Sequence, residues 1–146
     1  MIRIICLGMV VKDIVFYVNQ IPSTPQKITA ESFEEKFGGM AATAAAAVAA
    51  LGGNAEFWGR VGDDEIGRNV IEAFNLRGVL TKVQQTHNAH SAISAVIVDE
   101  AGERMLAVYP GKLESSADWL EFDCLQGTSA VHADFRWVEG AKKLFL

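Results

Sequence analysis

The eleven residues from Ala41 to Leu51 carry no charge and, apart from Thr43, Val48 and Leu51, nothing larger than a methyl side chain. Gly38-Gly39 precedes them, and Leu51-Gly52-Gly53 and then Trp58-Gly59-Arg60-Val61-Gly62-Asp63-Asp64 follow. The stretch reads as a glycine turn feeding a helix, then a strand ending in a second glycine turn. A helix of this composition is not an ordinary amphipathic surface helix with one solvated stripe, so it is expected to be enclosed on most sides. Burying an alanine yields only about one methyl's worth of stabilisation at about 25 cal/mol per Å², so size explains the pattern better than hydrophobicity: small side chains let backbones approach. Paired glycines add permissive dihedrals and leave first-turn N–H groups uncovered, where the positive end of the helix dipole favours hydroxyls or anions. The Gly38 turn is therefore a candidate ligand wall; the alternative is a tight loop ahead of a close helix-on-sheet contact.

With 146 residues, half of them apolar and 21% charged, the chain fits one globular domain with a normal core. Its net charge of −5 includes no basic run, so a nucleic-acid partner is not expected, although two local cations can still hold a small anion. Cys6 and Cys124 lack CxxC spacing and are read as reduced thiols of a cytoplasmic protein. The apolar N-terminus runs directly into a strand–turn pattern and does not read as a signal peptide. The alanine segment is too short and too weakly hydrophobic to span a bilayer.

Ile2 to Met9 has the continuous, β-branched pattern of a strand covered on both faces, and Asp13 sits just past its end. Ile14 to Val18 and Lys27 to Phe37 alternate loosely and read as a half-exposed antiparallel piece forming a second layer. Ala55 to Val61 predicts a strand, with Asp63 or Asp64 capping a helix that runs to Arg77 and stops at Gly78. Strand, helix, strand, helix is the doubly wound rhythm. Val79 to Thr86 predicts another strand, and Ser91 to Val98 with Glu103 to Tyr109 a hairpin joined to the earlier antiparallel piece. Ser115 to Phe122 predicts a short helix, Ser129 to Ala133 a buried strand, and Glu139 onward a new helix. That helix ends on Leu144-Phe145-Leu146 after barely two turns, the expectation for a truncated chain or a split domain.

In this order the Gly38 to Gly62 stretch resembles the N-terminal signature of the ribokinase-like (PfkB) carbohydrate kinases. Gly38, Gly39, Ala41, Ala45, Gly52 and Gly62 fall in register, and Thr43 occupies a position normally held by asparagine. Gly8 with Asp13, Gly59 through Asp64 with Gly67, and the Gly102-Glu103-Arg104 hairpin extend the agreement over about the first 110 residues. The segment His132 to Trp137, with the Ala-Ala-Thr variant of the signature, looks most like the sulfofructose kinase branch. The resemblance implies an α/β fold, a three-layer α/β/α body with a small antiparallel β lid (segments about 14–37 and 91–109), of which these residues are the N-terminal part. It also implies transfer of the ATP γ-phosphoryl to a sugar hydroxyl with Mg²⁺, and homodimers through the lid. The family's catalytic base and phosphate loop lie in a Gly-Ala-Gly-Asp segment that these 146 residues do not contain. This chain alone is therefore expected to hold part of the sugar site but to lack the catalytic base.

Asp13 lies where open α/β sheets place ligands, and by the resemblance its carboxylate accepts hydrogen bonds from two sugar hydroxyls. Gly38, Gly39 and Thr43 complete that wall. Lys27, in the lid, and Arg136, after a buried strand, are candidates to converge on one anionic substituent, for which arginine's planar fork is suited; in the branch named above they are the residues for the sulfonate. Val108 stands where a polar side chain would help such a site. Asp63 and Asp64 are read as helix caps and Arg60 as a surface partner of either. The three histidines show no metal-ligand pairing, and Trp137 is a secondary candidate for stacking on the substrate. Two other classes remain open: a non-catalytic sugar-binding or regulatory module, and a dinucleotide-binding oxidoreductase. The latter wants its glycine turn directly after the first strand, whereas the paired glycines come thirty residues later.

Overall fold

The computed structural model describes residues 2–146, and the side chains of all of them except Phe122 and Cys124. The reading of Cys124 as a reduced thiol therefore lies outside the described residues. Ile5, Cys6 and Leu7 are wholly buried, as the unbroken apolar run requires of a central strand. They belong to β1 (Arg3–Gly8) of a parallel sheet ordered β5-β4-β1-β8, with β4 Asn54–Gly62, β5 Leu80–Thr86 and β8 Ala130–Ala133.

Helices cover both faces of this sheet. On one side α1 (Met40–Ala50) and α2 (Glu65–Leu76) enclose Cys6, Phe57, Val61, Val70 and Phe74. On the other, α3 (Val138–Phe145) and the 115–125 segment pack around Ile5, Leu7, Trp58 and Trp137. This is the three-layer body implied by the resemblance. Within it, α1 departs from expectation. Ala41, Ala42 and Ala45 are buried against β1 and β4, but Thr43, Ala47 and Ala50, at helical spacing, form an exposed stripe. Alanine tolerates this because its helix propensity, the highest of any residue, does not depend on burial.

The second sheet is ordered β3-β2-β6-β7, with β2 Val11–Tyr17, β3 Ser32–Gly38, β6 Ile93–Val98 and β7 Arg104–Tyr109. It is mixed, not antiparallel as expected: β2 pairs antiparallel with β3 and β6 with β7, but β2 and β6 run parallel. Each of these two strands leaves the body directly, β2 from the turn after β1 and β6 from the 87–92 connection, so they start side by side and point the same way. Asp13 consequently lies inside β2 and not merely beyond β1, and Lys27 lies ahead of β3, outside any strand. The helix expected over Ser115–Phe122 is absent. Ser116 and Asp118 instead hydrogen-bond to each other, and a 3₁₀ turn forms at Phe122–Leu125.

Candidate functional site

A cleft of about 570 Å³ opens where the carboxyl ends of β1 and β8 face the mixed sheet. Its walls include Gly8 at the end of β1 and Met9 after it, Asp13 on β2, Gly39 and Met40 entering α1, Ser94 on β6, Leu106 and Val108 on β7, and Arg60 and Arg136. A hollow of similar size between residues 115–118 and α3 contains none of these groups.

Asp13 is oriented by one hydrogen bond and by the space beside it. It faces Ser94 and Lys36 across the sheet, and the buried Ser94 hydroxyl donates a short hydrogen bond to Asp13 Oδ1. A Cβ at Gly38 would collide with Asp13 Oδ2, so the first glycine of the pair provides the space that the carboxylate fills. Gly38 thus acts through Asp13 and is not itself among the cleft's lining residues. Gly39 has φ +99°, and a Cβ there would meet the Met9 carbonyl. Only glycine combines that dihedral with that proximity.

At the N-terminus of α1, expected to be uncovered, one first-turn N–H is already occupied. Asp134, 5% exposed, accepts from the backbone N–H of Met9 at 2.8 Å, Ala41 at 3.2 Å and Arg136 at 2.9 Å. Its carboxylate sits where a Cβ on Gly8 would be. It thereby satisfies an orphan helix donor and complements the dipole, joining the β8 end, the β1 turn and α1 in one rigid floor. No local sequence pattern marks a cap that lies 93 residues from the helix it serves.

The remaining expected residues divide. Arg136 lines the cleft, exposed, its guanidinium 5.2 Å from the Phe135 ring centroid. Lys27 is exposed and not among the lining residues. Thr43 faces a different hollow with Phe37, Ala46 and Phe74. Arg60 is not the surface partner of Asp63 or Asp64: it lines the cleft, donates from one terminal nitrogen to the Glu114 carbonyl at 2.8 Å, and lies 4.9 Å over Trp137. Burial pushes its guanidinium below the usual value, against the pull of Asp134 and Glu114. Trp137 is buried beneath Arg60 and stacked on Trp119 at 5.7 Å, with Nε1 donating to the Ser115 carbonyl. It has no face left for a substrate.

Comparison with known proteins bears on the family and the fold. A model of the pfkB family of carbohydrate kinases matches residues 1–135. The chain belongs to that family. It is 33% identical over 102 residues to "Probable fructokinase-7" of Arabidopsis thaliana, covering 69% of this chain and 29% of that protein. It is 32% identical over 104 residues to an "ATP-dependent ribose-1-phosphate kinase" of Halopiger xanaduensis, covering 70% of this chain and 35% of the relative. A crystal structure from Agrobacterium tumefaciens, assigned as a ribokinase, superposes with a TM-score of 0.87 at 32% identity over 94% of this chain and 45% of its own. The chain therefore spans less than half the length of these pfkB-family relatives.

In this pfkB-family chain the Gly-Asp-Asp turn anchors the connection to the second sheet. Asp64 caps α2 by accepting from Gly67 N–H at 2.9 Å and also accepts from Ser91 N–H at 2.8 Å and Ser91 Oγ at 2.7 Å. Ser91 Oγ in turn accepts from Gly62 N–H. Asp63 receives Asn88 N–H at 3.1 Å and lies 2.8 Å from His87 Nδ1. The expected capping role is correct for Asp64 but incomplete. The two carboxylates also fix the segment leading into β6, and so the position of Ser94 against Asp13. Among the described residues no group of three or more His, Cys, Asp or Glu is arranged for a metal, and no helix is long and apolar enough to cross a membrane.

Proposed function

We propose that the full-length protein transfers the γ-phosphoryl of ATP to a hydroxyl of a sugar bound in this cleft, the sugar being an acidic or sulfonated ketose such as 6-deoxy-6-sulfofructose. The observation that carries the reading is the Asp13 carboxylate, oriented by Ser94 and accommodated by Gly38, in one cleft with two arginines. A fixed acceptor orients sugar hydroxyls, and arginines select a substituent of negative charge. The named activity of the Halopiger relative, which takes a sugar that already bears an anionic group, supports the second half.

In the reaction the sugar hydroxyl oxygen forms a bond to the γ-phosphorus, the bond from that phosphorus to ADP breaks, and the hydroxyl proton passes to a base. Residues 1–146 offer neither a Gly-Ala-Gly-Asp segment nor, among the described residues, a metal cluster. In this reading ATP, Mg²⁺ and the base are held by other parts of the protein, and this chain binds and orients the sugar and helps keep water out. The sheet β3-β2-β6-β7 is the lid, and Lys27 reaches the anionic substituent only on closure. The lid's outer face carries Phe16, Phe33, Met105 and Tyr109, three of them markedly exposed; a second copy covering it makes a homodimer, in keeping with a cytoplasmic enzyme.

The decisive experiment is ATP-dependent phosphorylation of a ketose panel by the full-length protein and by its Asp13→Asn variant. A fall of roughly 100-fold or more in kcat/KM is expected, because a charged acceptor to two hydroxyls becomes a neutral amide. Unchanged turnover in Asp13→Asn would remove the basis of the reading. Sugar binding without phosphorylation by the wild type would favour a binding module instead.

A further inference from the structure

We propose that Arg60 is a specificity-determining residue, the fixed member of a two-arginine site for an anionic substituent on the sugar; this rests on the sugar-kinase reading above and deepens it. Arg60 and Arg136 line the same cleft. Among the described residues neither guanidinium has a carboxylate within the 4.0 Å of an ion pair. Asp134, which acts on Arg60 electrostatically, has its oxygens engaged by three backbone N–H groups. It therefore balances Arg60 electrostatically without closing off its donors.

The two arginines differ in what holds them. Arg136 is exposed, and an exposed cation contributes little to discrimination because water and salt screen it. Arg60 is half-buried, clamped by the Glu114 carbonyl and lying over the buried Trp137 indole, which is itself stacked on Trp119. Of its five N–H donors, the described contacts use one, and Nε is buried with no hydrogen-bond partner. A desolvated, pre-oriented guanidinium with spare donors loses little entropy on meeting a planar or tetrahedral oxyanion, and the low local dielectric strengthens the contact. The chemistry it selects is a phosphate, sulfonate or carboxylate on the sugar. Leu106 and Val108 line the opposite wall with apolar surface, so little else in the cleft competes for that charge.

The test measures kcat/KM of the full-length protein for a neutral ketohexose and for its 6-phosphate and 6-sulfonate counterparts, in wild type, R60M, R60K and R136M. The wild type is expected to prefer the charged sugars. In R60M the charged-to-neutral ratio should fall by roughly 30- to 100-fold, chiefly through KM, the loss expected for charge-assisted hydrogen bonds. R60K keeps the charge and much of the stem but not the fork, and should lose about 10-fold of the ratio; it also covers the case in which R60M fails to fold. R136M should lose less than R60M. A ratio unchanged in R60M or R60K, or lost equally for neutral and charged sugars, overturns the role of Arg60 alone. A wild type that phosphorylates sugars without preferring the charged ones overturns this inference and the acidic-sugar reading but not the kinase. A wild type that phosphorylates no sugar overturns all three.

Discussion

Gly38 and Gly39 act through different atoms, and substitutions should separate them. Gly38→Ala places a methyl on the Asp13 carboxylate and is expected to raise KM for the sugar about tenfold or more while altering the melting temperature little. Gly39→Ala meets both a positive φ and the Met9 carbonyl, so about 1–3 kcal/mol of stability should be lost in denaturant unfolding. Burial pushes the Cys6 thiol from 9.0 up to about 11. Since the folded value is the higher, the stability it contributes is complete below about pH 9 and disappears as pH rises towards 11. Cys6 should accordingly resist iodoacetamide at pH 8 until the protein unfolds, which mass spectrometry would register. Asp13 was legible from sequence because it follows a strand that announces itself. Arg60 was not, because its partners Glu114 and Trp137 come from distant parts of the chain.

Among the elements, α2 was readable almost to the residue, since an acidic N-cap, an amphipathic face and a terminal glycine are all local signals. Asp64→Ala removes that cap together with the Ser91 anchor; about 1–2 kcal/mol of stability should go with the cap alone, and sugar affinity should fall as the start of β6 loosens. Burial opposes ionisation of Asp64, but the hydrogen bonds from Ser91 and Gly67 outweigh it and lower its pKa from 3.8. The folded value lies below the unfolded one, so this stabilisation holds above about pH 4 and is lost as pH falls through the folded value. Asp64→Asn should flatten the acid limb of the stability profile, followed by circular dichroism. The 115–122 segment was misread as a helix. Its Ser and Asp side chains bond locally, and Ser115 spends its carbonyl on the Trp137 indole.

For the whole molecule, the decisive relation is between the parallel body and the mixed sheet. If the lid's outer face meets a second copy, Phe33→Glu should convert a dimer to a monomer in sedimentation velocity of the full-length protein, because burying an unpaired carboxylate there costs several kcal/mol. Persistence of the dimer would place the interface elsewhere. The parallel pairing of β2 with β6 was not visible in sequence: alternation reports which face of a strand is buried, not the direction of the strand beside it. Only the exit points of the two strands from the body decide that direction.

Local physics was enough to mark most of the elements, the glycine pair and the candidate carboxylate, because periodicity, caps and turn residues act over a few positions; the family came from the resemblance of the Gly38 to Gly62 signature. The tertiary structure alone decided that Asp134 closes the N-terminus of α1 from 93 residues away and that Met9 is tied to it across 125. It also turned Thr43 from the cleft and brought Arg60 into it. These outcomes depend on which buried polar groups find partners once the chain has collapsed, and that pairing is settled in space, where separation along the sequence carries no information.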